Sequence, residues 1–375
     1  MRIFVSTADA SGDLHASAVV AALRRRCPDL EVYGLGGERL QAAGLEAIVS
    51  QSDLAVGGLV EVLSSLPGLL GGYARLRRSI VARAPDLALL VDSPDLNLPL
   101  ASVAHRRGIR VLYYIAPQVW AWRSGRMRKL RRRVDRMGLI FPFEEPLFRA
   151  AGLDATFLGH PLVDRIAALR ESLDPAAAAD ALGIDRERPV LGVLPGSRRN
   201  EFAANLEPML ESARLAREAI PGLQVVLPLA PTLEREPPSL PEFVRLVVGC
   251  THEAVSLSTC ILAAPGTATV EAALLGVPTV IVHQVNRLSF AIGQRLIRVP
   301  SSSMLNLIEG AGVVPERIQA QVRPAEIAGL VARWVRNPEL REATVKEISA
   351  AAARLGPPGA VERAADWVLE SARSG

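Results

Sequence analysis

The feature that most constrains the fold is an alternation of strand-like and helix-like segments that runs through the chain twice. Short apolar runs at Ile3 to Ser6, Leu30 to Leu35, Leu87 to Val91, Val111 to Tyr114 and Leu139 to Phe141 are separated by helical patterns such as Asp13 to Arg26. After His160 and Pro161 an Ala-rich helical stretch follows. The alternation then restarts with Val190 to Leu194, Gln224 to Leu227, Leu246 to Val248, Ile261 to Ala263 and Thr279 to Val282. Strands joined by helices pair in parallel and have both faces covered, so the expectation is an α/β chain of two doubly wound, Rossmann-like domains. A length of 375 residues, more than one core usually serves, agrees. The expected divisions are residues 1–165 and 166–355, with a C-terminal helix in 356–375, set off by Pro357 to Ala360, packing back on the first domain.

Composition narrows the class. Hydrophobic residues make up 49% of the chain and aromatics only 4%, so Ala, Leu and Val carry the apolar weight behind a mean hydropathy of +0.23. No apolar stretch reaches the roughly 20 residues of a membrane span, because Glu61, Pro67, Pro265 and Glu271 interrupt the longest candidates. The N-terminus enters the first strand with no leader pattern, and a cytoplasmic location is expected. Cys27, Cys250 and Cys260 have no metal-ligand spacing and are expected to be buried thiols. A net charge of +4 conceals a local concentration: Arg123, Arg126, Arg128, Lys129, Arg131, Arg132, Arg133 and Arg136. Such a run fits either an anionic partner or a solvated helix face. Nucleic acid is not the expected partner, since no aromatic interleaving or binding module accompanies it.

In parallel α/β sheets ligands gather at the carboxyl ends of strands, which singles out four loops. Asp9, Ser11 and Gly12 follow the first strand in a small turn opening a helix, where a substrate can approach the backbone, or where Asp9, Ser11 or Asp13 simply caps the helix. Asp92 and Asp95 follow a nearly all-apolar strand. A carboxylate there can act as general base, and Asp92 is the better candidate because Asp95 is placed to cap the next helix. Gly196, Ser197 and Arg198, with Arg199 and Glu201 after them, form a helix start suited to a diphosphate. Two arginines at that end oppose the helix dipole unless an anion is near. Gly266 and Thr267 open a further helix, and Glu271, one turn in among apolar neighbours, is placed to accept hydrogen bonds from ribose hydroxyls. No Asp-x-Asp metal motif stands at a strand end, and no cofactor is expected.

The motifs resemble, in order and spacing, the lipid-A-disaccharide synthase family. They are ASGD at Ala10 to Asp13, DSPDLN at Asp92 to Asn97, APQVWAWR at Ala116 to Arg123, FPFE at Phe141 to Glu144, GHPLVD at Gly159 to Asp164, LPGSR at Leu194 to Arg198 and GTATVEAALLGVP at Gly266 to Pro278. The resemblance implies two GT-B type domains facing a central cleft. It also implies inverting transfer of 2,3-diacylglucosamine from its UDP carrier to the 6-hydroxyl of 2,3-diacylglucosamine 1-phosphate. By the same resemblance Asp92 is the base, Arg198 steadies the departing diphosphate, Glu271 holds the ribose and Asn306 lies near the nucleotide. Trp120, Trp122 and Arg123 would lie by the cleft. Three positions depart from the family pattern: Asp9 replaces a glutamate, Pro265 a serine and Leu305 a proline.

Both implied substrates are acylated, so a peripheral contact with anionic membrane, at the inner face of the inner membrane, is expected. The helically spaced Leu59, Val60, Val62, Leu63, Leu66, Leu69 and Leu70, broken by Pro67, match the family's docking segment, and Gly57, Gly58, Gly71 and Gly72 at its ends suggest a flap. A homodimer is a further implication. Rival readings are a peptidoglycan N-acetylglucosaminyltransferase, a UDP-N-acetylglucosamine 2-epimerase and a non-catalytic lipid-binding relative.

Overall fold

A computed structural model describes residues 1–54, 59–119, 125–230, 233, 239–285, 301–310 and 312–373; the side chains of 54 and 59–67 also lie outside the description. Gly57, Gly58, Trp120, Trp122, Arg123 and the apolar side chains from Leu59 to Leu66 are therefore outside the described residues. The chain divides into two compact units, Met1–Asp164 with Gly356–Gly375, and Arg165–Leu355.

Among the described residues the first unit holds seven strands: β1 (Arg2–Ser6), β2 (Glu31–Gly36), β3 (Glu46–Ser50), β4 (Leu87–Val91), β5 (Arg110–Tyr114), β6 (Arg136–Leu139) and β7 (Ala155–Phe157). They pair in parallel in the order β3-β2-β1-β4-β5-β6-β7. The central strands are inaccessible on both faces: every residue of β4 is fully buried, as are Phe4 and Val5 of β1. This is why those strands read as continuous apolar runs rather than alternating ones. Strand β6 begins three residues before the Leu139 to Phe141 run, because hydrogen bonding to β5 starts at Arg136 and leaves Ile140 and Phe141 beyond the strand. β3 and β7 were not anticipated. They are short edge strands whose mixed sequences, EAIVS and ATF, carry little apolar signal.

The C-terminal segment belongs to this unit. The Asp164 carboxylate accepts the backbone N–H groups of Gly359, Ala360 and Val361, capping the helix Ala360–Arg373. Glu362 and Asp366 of that helix pair with Arg25 and Arg26 at the end of the helix Ala10–Arg26, while Trp367 is buried. Basic side chains at the carboxyl end of one helix, facing acids of the other, satisfy the dipole and the pairing together.

The helix Leu59–Arg83 runs through Pro67 and through Gly71 and Gly72, so those glycines lie inside it and not at its end. Its last turns are anchored by Leu76 and Ile80, fully buried, whereas Leu70 is 66% exposed.

Among the described residues the second unit has six strands: β8 (Val190–Leu194), β9 (Gln224–Leu229), β10 (Val244–Val248), β11 (Cys260–Ala263), β12 (Thr279–His283) and β13 (Glu316–Ile318). They too are parallel, in the order β10-β9-β8-β11-β12-β13. β13 is a three-residue edge strand that escaped the sequence pattern. Of the three cysteines only Cys260 is fully enclosed, and burial pushes its thiol up to about 12; Cys27 and Cys250 are partly exposed.

Candidate active site

In each sheet the strand order reverses once, between β1 and β4 in the first unit and between β8 and β11 in the second. Loops diverge to opposite faces at such a point and leave a crevice at the strand ends. The four loops singled out by sequence are the four that leave these strands.

At the first reversal the backbone is strained. Asp92 (φ 45°), Ser93 (φ 43°) and, at the end of neighbouring β5, Ile115 (φ 61°) all occupy the left-handed region. A β-branched residue there is a genuine outlier, and each such residue costs about 1–3 kcal/mol and persists only where its surroundings over-determine it. The restraint is visible. Asn97, fully buried one turn into the helix Pro94–His105, donates its amide hydrogens to the carbonyls of Asp92 (2.8 Å), Val91 (3.0 Å) and Ser6 (3.2 Å). Its Oδ1 accepts from the Ser6 hydroxyl at 2.7 Å. The Tyr113 hydroxyl also donates to the Asp92 carbonyl, and burial raises the pKa of that phenol. The backbone of Asp92 is thus held from β5 and the following helix, whose Asn97 is itself tied to β1, with its side chain at a partly exposed strand end.

The neighbouring loop is locked to it. Asp9 caps the helix Ala10–Arg26, accepting the Gly12 N–H at 2.7 Å, and its other oxygen accepts the Ser93 hydroxyl at 2.8 Å. Ser11 is exposed. Gly12 is required by close approach, since a Cβ would lie 2.0 Å from Oγ1 of Thr7. Asp13 is not a cap of its own helix: its carboxylate accepts the backbone N–H groups of Gly37, Arg39 and Leu40 and so starts the helix Glu38–Ala42.

Asp95 corrects the expectation of a cap. The helix begins two residues earlier, at Pro94, with Ser93 at the cap position, and Asp95 sits in its first turn paired with Arg126. The basic run is divided accordingly. Arg133 donates to the Leu98 carbonyl, and Arg136 pairs with Asp154 and donates to the Ser371 hydroxyl. Arg128, Lys129, Arg131 and Arg132 face solvent.

His15, on the helix Ala10–Arg26, and His160, after β7, are both buried, with rings edge to face at 6.1 Å. Nδ1 of His160 accepts the Leu162 N–H at 3.2 Å. Burial, with the field of His15 adding to it, lowers the His160 pKa to about 3, so this imidazole is neutral. Of these residues His160 is visible in sequence as part of GHPLVD, but nothing local signals its pairing with His15.

At the second reversal, Gly196 leads into the helix Arg199–Ala219, with Arg198 at the cap position and no side-chain cap. Ser197 and Arg198 are exposed. Glu201 turns back over Gly196 toward the backbone N–H groups of Ser197 and Arg198; burial raises its pKa against the pull of those groups and the Arg198 charge. Asn205, fully buried, repeats the role of Asn97: it donates to the carbonyls of Pro195 (3.2 Å) and Glu201 (2.8 Å) and accepts the N–H of Gln284 (2.7 Å).

Gly266 and Thr267 are exposed at the start of the helix Thr267–Leu275, and the Thr269 hydroxyl closes the turn onto the Gly266 carbonyl at 2.7 Å. Glu271, only 14% exposed, faces Nε2 of His252 at 3.4 Å and Arg165 at 3.7 Å. Asn306 is buried, with its donors on the Val314 carbonyl and the Glu316 carboxylate, and its carbonyl on the Val314 N–H. Glu316 also accepts from Ser301 and Ser302, and these bonds hold its pKa down against burial. Asn306 therefore organises the 301–316 segment. Among the described residues no group of three or more His, Cys, Asp or Glu is arranged to hold a metal ion.

Solved structures with this fold include a UDP-GlcNAc 2-epimerase from Neisseria meningitidis bound to UDP-GlcNAc (TM-score 0.69, 13% identity, covering 99% of this chain and 100% of that one). Another is the calicheamicin glycosyltransferase CalG4 (TM-score 0.61, 17% identity, 99% and 98% coverage). At those identities they establish the two-domain GT-B fold alone. Sequence relatives are far closer. The lipid-A-disaccharide synthase of Geobacter metallireducens is 42% identical over 98% of this chain and 97% of its own length. That of Myxococcus xanthus is 41% identical at the same coverages. The model of the lipid-A-disaccharide synthetase family matches residues 3–354. With the family's motifs at both strand-order reversals and the match spanning nearly the whole length, the chain belongs to the lipid-A-disaccharide synthase family of glycosyltransferases.

Proposed function

We propose that the enzyme transfers 2,3-diacylglucosamine from UDP-2,3-diacylglucosamine to the 6-hydroxyl of 2,3-diacylglucosamine 1-phosphate, releasing UDP and forming a β-1',6 linkage. The observation that carries this reading is the family match across the whole chain. The acceptor oxygen attacks the anomeric carbon from the face opposite the diphosphate, the glycosidic C–O bond to UDP breaks, and the acceptor proton passes to Asp92. In support, Asp92 stands on a restrained backbone that fixes the direction of its side chain at a partly exposed strand end. Asp95, by contrast, is engaged by Arg126.

The leaving group develops negative charge as it departs. Arg198, exposed at a helix start, together with Ser197 and the backbone of Gly196, is suited to that charge, and Gly266 and Thr267 offer a second helix start. Glu271 is the ribose-binding candidate, in which case His252 and Arg165 orient its carboxylate. The Asp9 and Gly12 turn supports the acceptor side by fixing Ser93 next to Asp92.

Attachment to an anionic membrane surface, on the inner face of the inner membrane, belongs to the same proposal. Leu70 and the solvent-facing Arg128, Lys129, Arg131 and Arg132 provide the apolar and basic contacts such binding needs. A homodimer is proposed on the resemblance alone, and light scattering in detergent tests it.

The decisive assay is UDP release from UDP-2,3-diacylglucosamine in detergent with EDTA, with and without the monosaccharide 1-phosphate. Acceptor-dependent release that ignores the chelator is expected. Release that does not depend on the acceptor would replace this reaction with hydrolysis or epimerisation.

A further inference from the structure

The loop assigned to the diphosphate carries an anion of its own. Glu201 is the third residue of the helix Arg199–Ala219, and its carboxylate turns back over Gly196 toward the N–H groups of Ser197 and Arg198, which favour its ionised form. To reach them it lies across Gly196, where a Cβ would sit 2.5 Å from Cγ and Oε2 of Glu201. A glycine at φ +127° leaves that space. Those two amides point from the start of the helix, where an entering phosphate would meet them.

We propose that Glu201 is a positioning residue that competes with the nucleotide diphosphate for the Ser197 and Arg198 amides, holding the loop in an anion-ready shape while empty and yielding the amides when the diphosphate enters. The inference rests on the nucleotide reading given above. Two anions cannot use the same N–H groups at once, and a half-buried carboxylate beside a diphosphate is disfavoured by repulsion as well as by desolvation. Among the described residues Arg198 is the charged side chain that acts on Glu201, and it pulls toward the ionised form against burial. A diphosphate that takes over Arg198 removes that pull, so binding draws a proton onto Glu201. The consequence for turnover is weakened retention of the product UDP, which favours its release.

The test is calorimetric titration of the full chain with UDP near pH 6, in two buffers of different ionisation enthalpy, for the unaltered protein and for Glu201→Gln. Glutamine keeps the amide-accepting geometry at the third helix position and removes the charge. UDP should bind about tenfold more tightly to Glu201→Gln, the difference between a charge-assisted and a neutral competing hydrogen bond. The proton uptake of the unaltered protein should be absent in the variant. Glu201→Asp, whose carboxylate falls short of both amides, should show a smaller tightening of the same sign. Unchanged or weaker UDP binding by a folded Glu201→Gln protein overturns the competition. Failure of the unaltered protein to bind UDP overturns the nucleotide reading itself, so the two failures are distinguishable.

Discussion

Replacing Asn97 by alanine tests whether the geometry at Asp92 is held by hydrogen bonds or by packing. The side chain is fully buried, shares two amide hydrogens among three carbonyls at 2.8–3.2 Å and accepts the Ser6 hydroxyl at 2.7 Å. Counting three net hydrogen bonds at about 1 kcal/mol each gives about 3 kcal/mol, and the oxygens left unpaired in the interior raise the loss to about 4 kcal/mol. Because the protein has two units, a single unfolding midpoint does not isolate this loss. Hydrogen exchange at the β1 and β4 amides does, and it should accelerate roughly 10³-fold. The isosteric Asn97→Asp decides the cause. It conserves volume but turns carboxylate oxygens toward three carbonyl oxygens, so it should be at least as damaging as alanine. In both variants the Asp92 to Ser93 backbone loses the Asn97 part of its restraint, and kcat should fall while KM for the donor changes little. An Asn97→Asp protein with exchange within about threefold of the unaltered one would refute the argument, because packing alone would then fix the loop.

Asp92→Asn should remain folded, since the contacts restraining this residue are made by its backbone, and kcat should drop by about 10²–10⁴-fold; full turnover by the folded variant would remove Asp92 from the role of base. His160 titrates near pH 3 in the folded chain against an ordinary 6.5, so the unfolded state takes up the proton first. Its contribution to stability is present above pH 6.5 and declines as pH falls toward 3, by up to about 1.4 kcal/mol per pH unit. His160→Gln should flatten that part of the urea midpoint against pH curve. Asp164→Ala removes the acceptor for three amides at the start of the C-terminal helix, which should cost about 1–2 kcal/mol and open the 356–373 segment to limited proteolysis. Gly12→Ala places a Cβ 2.0 Å from Oγ1 of Thr7 and should lower the thermal midpoint, with Gly12→Ala/Thr7→Ser recovering little because the oxygen remains.

Much of the architecture follows from residue order alone. Leu87–Val91 and Val190–Leu194 are strands because uninterrupted apolar runs of five residues suit only a sheet covered on both faces, and the helices between them force parallel pairing. The four loops also declared themselves, since small residues and charges directly after such strands have few purely structural uses. Local signals failed where the determining contact is distant in sequence. Asp95 reads as a cap from its neighbours, yet Arg126, 31 residues away, captures it. Nothing beside Asn306 in the sequence signals that its amide is taken by Val314 and Glu316, eight and ten residues on.

By itself the sequence determined the class of fold, the chemistry available at each strand end and, through its motifs, the family. Those depend on periodicity, on turn chemistry and on residue type, which are properties of short stretches. The tertiary structure decided the strand order that makes β1–β4 and β8–β11 the points of reversal. It also decided the two buried asparagines that hold the carbonyls there, and the split of the basic run between internal pairing and solvent. Each of those depends on which distant groups come within hydrogen-bonding range, and that is fixed only when the sheets assemble and exclude water.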